Sequence, residues 1–97
     1  MRPVTLADIE AATQAVMAAG EEARQTFAAT LLSQARRADR YRRKSGRAHP
    51  RFGDGTLLSA ALCHPRAARP ACFDAGWLDA LAHVLRALAQ SDGHHGN

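Results

Sequence analysis

From residue 21 to about residue 44, apolar side chains recur every three or four positions, at Ala23, Phe27, Leu31, Ala35, Ala38 and Tyr41. On a helix these fall on one face. No other stretch constrains the fold as strongly, because ~24 helical residues span about 36 Å. Glu21 and Glu22 open the segment, where acids suit the positive end of the helix dipole. Ser45 and Gly46 weaken the pattern, and Pro50 cannot continue a helix.

The remaining elements are shorter. Thr5 is an N-cap candidate with Asp8 three residues on, a capping box with Asp in place of Glu or Gln. Leu6, Ile9, Ala12, Val16 and Met17 then keep helical spacing until Gly20, which predicts a helix over 6–19. The short link at Gly20 makes an antiparallel hairpin with the long helix. Residues 45–56 read as a loop, with Phe52 its expected anchor on the core. Thr56 caps a short helix over 57–62, and the two prolines between Cys63 and Ala71 predict irregular chain. Asp74 caps a last helix over 74–90, with Trp77, Leu78, Leu81, Val84, Leu85 and Leu88 as its apolar stripe. Residues 91–97, with His94 and His95, read as a flexible tail. No strand pattern and no repeat is present, so the expected fold is all-α and a single domain over 1–90.

Ninety-seven residues bury only a modest core, and much of the apolar content is alanine. Alanine-faced helices pack closely against partner helices, which favours a homo-oligomer. No apolar run approaches membrane-spanning length and no secretory signal opens the chain. The two cysteines are too few for a disulfide framework. The expected setting is therefore the cytoplasm, with free thiols.

The formal charge is +4, carried by twelve arginines and one lysine. Eight of these thirteen lie between Arg36 and Arg51, where Asp39 is the sole acid. That segment carries +7 while the rest of the chain sums to −3. At about 100° per residue, Arg36, Arg40, Arg43, Lys44 and Arg47 cluster opposite Phe27, Leu31 and Ala38, and Arg37 flanks them. Complementing the helix dipole is worth under about 1 kcal/mol, which one or two residues supply. The excess has two other readings. It is a solvated helix face, the usual fate of a charge run and one that a GC-rich codon bias also favours. Or it is a surface for an acidic partner, nucleic acid or protein, since the guanidinium fork suits phosphate and carboxylate. Without zinc-finger spacing or a recognition helix, nucleic-acid binding would be directed to the backbone.

Chemistry is sparse elsewhere. His49 and Asp54 lie close in the loop, but no nucleophile is placed beside them. The plainer reading is that His49 packs or caps and Asp54 makes a turn hydrogen bond. Cys63, His64, Cys72 and His83 match no zinc spacing, so no metal is expected. No phosphate-cradling glycine loop is present, so no ATP and no other cofactor is expected. Neither pattern makes the chain an enzyme.

The stretches "RPVTLADIE", "ADRYRRKSGRAHPRFGDGTLLSAAL" and "HPRA" resemble the small terminase family encoded among the structural genes of alphaproteobacterial gene transfer agents, phage-like particles that package host DNA. The resemblance runs from Arg2 to about Leu88. It implies a ring-forming, non-enzymatic adaptor that gathers double-stranded DNA and passes it to a large terminase subunit. Many phage small terminases carry an N-terminal helix-turn-helix that finds a packaging site, and this chain has no room for one. That departure fits packaging with little sequence preference. DNA contact is carried over onto Arg36, Arg37, Arg40, Arg43, Lys44, Arg47 and Arg51 alone. The alternative is an interaction module whose arginine-rich helix grips an acidic protein.

Overall fold

In a computed structural model, which describes the backbone of residues 1–95 and the side chains of residues 1–91, the chain is all-α. Helix α1 (Leu6–Ala19) leads through one 3₁₀ turn (Glu21–Ala23) into the long α2 (Arg24–Ser45). After a loop come the short α3 (Leu57–Leu62) and then α4 (Ala75–His95). The starts of α1, α3 and α4 have side-chain caps, whereas α2 follows Ala23 and has none. The Thr5 hydroxyl accepts from the Asp8 amide at 3.3 Å while the Asp8 carboxylate accepts from the Thr5 amide at 2.7 Å, closing the expected capping box. Thr56 accepts from Ser59 N at 3.1 Å and Asp74 accepts from Trp77 N at 2.8 Å.

The long helix starts three residues later than its sequence pattern, because Gly20 at φ 95° reverses the chain and the first turn closes tightly as 3₁₀. Its far end is set by Gly46 rather than by Pro50. Gly46 adopts φ 73° and its N–H returns to Arg42 O at 2.7 Å, the left-handed stop that glycine adopts most cheaply. Helix α4 runs five residues past the expected end at Gln90, since no proline or β-branched run stops it. Residues 91–95 are thus helical rather than tail, and 96 and 97 lie outside the described residues.

All four helices meet in one core, made by Ala11, Ala12, Ala15 and Val16 of α1, Ala28, Leu31, Leu32 and Ala35 of α2, Leu57, Ala60 and Ala61 of α3, and Ala80 and Val84 of α4. Eight of these thirteen are alanine, so the helix axes approach closely and few bulky side chains suffice. The irregular segment after α3 is pinned to α1 both ways. Ala67 N donates to Gln14 O at 2.9 Å, and Gln14 Nε2 donates to Ala67 O at 3.1 Å. Arg24, whose side chain is only 11% exposed, ties the start of α2 to Asp79 of α4 at 2.7 Å.

Two expected inward faces are narrower than their spacing implied. Tyr41 is 39% exposed, at the end of α2 where no other helix covers it. On α4, Trp77 and Val84 are buried, but Leu78 and Leu85 are 48% and 46% exposed. Ala80 turns inward in their place, which rotates the buried arc of α4 away from both leucines. Among the described residues no helix is long and apolar enough to cross a membrane.

Candidate nucleic-acid interface

The basic residues come from the last three turns of α2 and the loop after it. Leu31, Ala35 and Ala38 turn inward and are fully buried, which leaves Arg37, Arg40, Arg43 and Lys44 exposed on the other side. Arg36 lies at the margin and is half-buried. Arg47 and Arg51 extend the same charge into the loop and are exposed.

The loop that carries Arg47 and Arg51 is held by local chemistry. Ser45 Oγ donates to Tyr41 O at 2.8 Å and accepts from Arg47 N at 3.2 Å. His49 and Gly53 exchange backbone hydrogen bonds at 2.7 and 3.2 Å, closing a tight turn. His49 Nδ1 accepts from the amides of Arg51 at 3.0 Å and Phe52 at 3.3 Å. Its ring stacks on Phe52 at 4.8 Å and meets Tyr41 edge-on at 5.0 Å. Phe52 therefore anchors the loop through His49, which meets Tyr41, rather than on the core. Gly55 is buried where the loop crosses α2. It has φ 100°, and a Cβ there would lie 2.9 Å from the Asp39 Cα, so only glycine fits.

Asp54 accepts from Thr56 N at 3.0 Å and Thr56 Oγ1 at 2.7 Å. The Thr56 hydroxyl bond, more than burial opposes it, holds the Asp54 carboxyl below its ordinary range. His49 and Asp54 are thus each committed to their own turn, as the plainer reading of the sequence had it, and not to each other. The four cysteine and histidine candidates are also apart. Cys63 Sγ donates to Ser59 O, His64 binds Gln34 at 2.7 Å, and His83 faces Asp79 at 3.6 Å. Among the described residues no group of three metal-ligating side chains comes together.

The electrostatics of the face follow from where its single acid goes. Asp39 is 4% exposed and sits between Arg43 at 3.1 Å and the Met1 amino group at 3.2 Å. Its charge is spent inside the fold. Arg42 is half-buried and donates to Asp54 O at 3.3 Å, so it holds the loop rather than facing outward. Arg37, Arg40, Lys44, Arg47 and Arg51 have no carboxylate within 4 Å among the described residues. Arg43 is the one outward cation with an internal partner, and it remains 74% exposed.

Beside this ridge the N-terminal segment, α2 and α4 enclose a cleft of about 760 Å³. Arg2, Arg36, Arg40 and Arg43 rim it, and Val4, Ile9 and Leu88 give it an apolar wall. Arg2 was not legible as a site residue. It reaches the ridge because its own N–H donates to Gly55 O at 3.3 Å, a contact 53 positions along the chain with no local signal.

Four packed helices with one cationic ridge define a small all-α domain. The chain belongs to the family described as Domain of unknown function (DUF7742), whose profile matches residues 2–88. That span takes in α1, α2, α3 and most of α4, and so the whole ridge. No curated protein and no solved structure gives a significant match.

Proposed function

We propose that this domain is a non-enzymatic DNA-packaging adaptor of the small-terminase type found in gene transfer agents, acting in the cytoplasm. It binds duplex DNA through phosphates with little sequence preference and delivers it to a large terminase. The observation that carries this reading is the run of exposed cations, Arg37, Arg40, Lys44, Arg47 and Arg51, without carboxylate partners among the described residues and on one side of the molecule. Exposed guanidinium groups at helical spacing suit phosphates along a backbone and carry no base code. A single ridge binds weakly, and repetition of it in an oligomer raises the effective affinity. The resemblance of "ADRYRRKSGRAHPRFGDGTLLSAAL" to the small-terminase family supplies the biological setting. Fluorescence anisotropy with two duplexes of unrelated sequence tests it. Equal, salt-sensitive binding to both is expected. No binding at low salt, or a strong preference for one duplex, overturns the reading.

The cleft favours a second reading, an acidic protein partner. A duplex lies across a concavity of this size rather than in it, whereas an aliphatic side chain flanked by carboxylates fits an arginine rim and an apolar wall. Copurification of a partner that survives nuclease treatment, together with absent duplex binding, would select it.

A further inference from the structure

The outer side of α4 is an apolar seam that no other described residue covers. Leu78 and Leu85 are about half exposed, and Ala82 and Ala89, which lie between and after them, are exposed. The intervals of four, three and four residues are those of a coiled-coil seam. The seam faces away from Ala80 and Val84, the residues α4 buries in its own core. One flank carries Asp79 and, one heptad on, Arg86.

We propose that α4 pairs antiparallel with α4 of a second copy of this chain, about a twofold axis passing between Ala82 and Leu85. Leu78 of each copy then lies against Ala89 of the other, and Ala82 against Leu85. Every layer sets a large side chain on a small one, which fills space at close helix separation. The charges choose both the occupant and the direction. The antiparallel twofold brings Asp79 of each copy beside Arg86 of the other, twice over. A parallel pair would put the two Asp79 side chains on opposite flanks of the seam, and the two Arg86 likewise, so no Asp79–Arg86 pair would form across it. Asp79 is available for this role, being 51% exposed and using Oδ2 for Arg24 and His83. The seam covers about three turns, roughly 17 Å, so it makes less than the ~1,600 Å² of a standard interface and the dimer is weak. This pairing does not rest on the DNA reading, and it would join two cationic ridges in one assembly.

Sedimentation velocity over a concentration series, without DNA and under reducing conditions because Cys63 and Cys72 are exposed, tests it. A monomer–dimer equilibrium is expected for the native sequence. Leu85→Asp, at a surface position, should remove it while leaving the helical circular dichroism unchanged. Asp79→Arg and Arg86→Asp should each weaken self-association about tenfold or more, and mixing the two variants should restore it as heterodimers. Asp79→Arg also removes the tie to Arg24; should it not fold, Arg86→Asp, a position with no hydrogen-bond partner among the described residues, decides alone. A strict monomer at every concentration, or an oligomer indifferent to Leu85→Asp and Arg86→Asp, overturns the pairing.

Discussion

Asp8 shows how one side chain joins two ends of the fold. It is 4% exposed, and its carboxylate accepts from Thr5 N and Thr5 Oγ1, each at 2.7 Å, and from Leu58 N at 2.8 Å. Burial pushes its pKa up, but these three donors together outweigh burial and leave it below the ordinary value. Half of this was legible, because Thr5 and Asp8 sit at capping-box spacing. The bond to Leu58 was not, since it depends on where α3 docks, 50 positions away. Removing an ionised acceptor that serves three buried or half-buried donors costs about 3 kcal/mol, so Asp8→Ala should lower Tm well beyond the effect of losing one helix cap. A lowered folded pKa also sets a sign. The stability Asp8 contributes is fully present above the unfolded value of about 4 and is lost as pH falls through the folded value. Thermal melts from pH 5 down to pH 2.5 should show falling Tm, with a shallower fall in Asp8→Ala. A variant as steep as the native protein would assign the acid sensitivity elsewhere, with Asp54 next in line because its shift has the same sign.

The elements were legible where a single residue type controls a boundary. Thr5, Gly20, Thr56 and Asp74 each mark a helix end by chemistry that acts within three residues. Faces were less legible, because which arc of a helix is buried depends on its neighbours. Leu78 and Leu85 share the spacing of Trp77 and Val84 yet face outward. Helix α4 docks on α1 and α2 through the small Ala80, a residue that hydrophobic periodicity weights little. The loop after α2 was misread for a similar reason. Phe52 looked like a core anchor but stacks on His49, whose ring meets Tyr41 edge-on. That stacked pair is worth about 0.5–1.5 kcal/mol beyond simple burial. Phe52→Ala should therefore loosen the 46–56 loop selectively, with faster amide exchange at His49 and Gly53 and little change in the core helices. Unchanged exchange at these two amides would show that backbone hydrogen bonds alone hold the turn.

Across the whole molecule, the alanine-rich core and the basic ridge belong to one design. The Cα radius of gyration is 13.0 Å, about that of a compact domain of this length. The surface is polarised, since eight basic residues and one buried acid fall within sixteen positions. Legible in the sequence was the helical ridge itself, whereas the loss of Arg42 to the loop, the internal use of Asp39 and the arrival of Arg2 all required the tertiary fold.

The central claim is that this ridge meets DNA phosphates, and counterion release measures it directly. Five to seven phosphate contacts predict a slope of log K against log salt of about −4.5 to −6.3. Replacing Arg37, Arg40, Lys44 and Arg47 with glutamine leaves every described hydrogen bond of the core in place and should reduce the magnitude of that slope by about 3 to 4. A slope unchanged by the four substitutions, in a variant with native circular dichroism and Tm, would contradict the account.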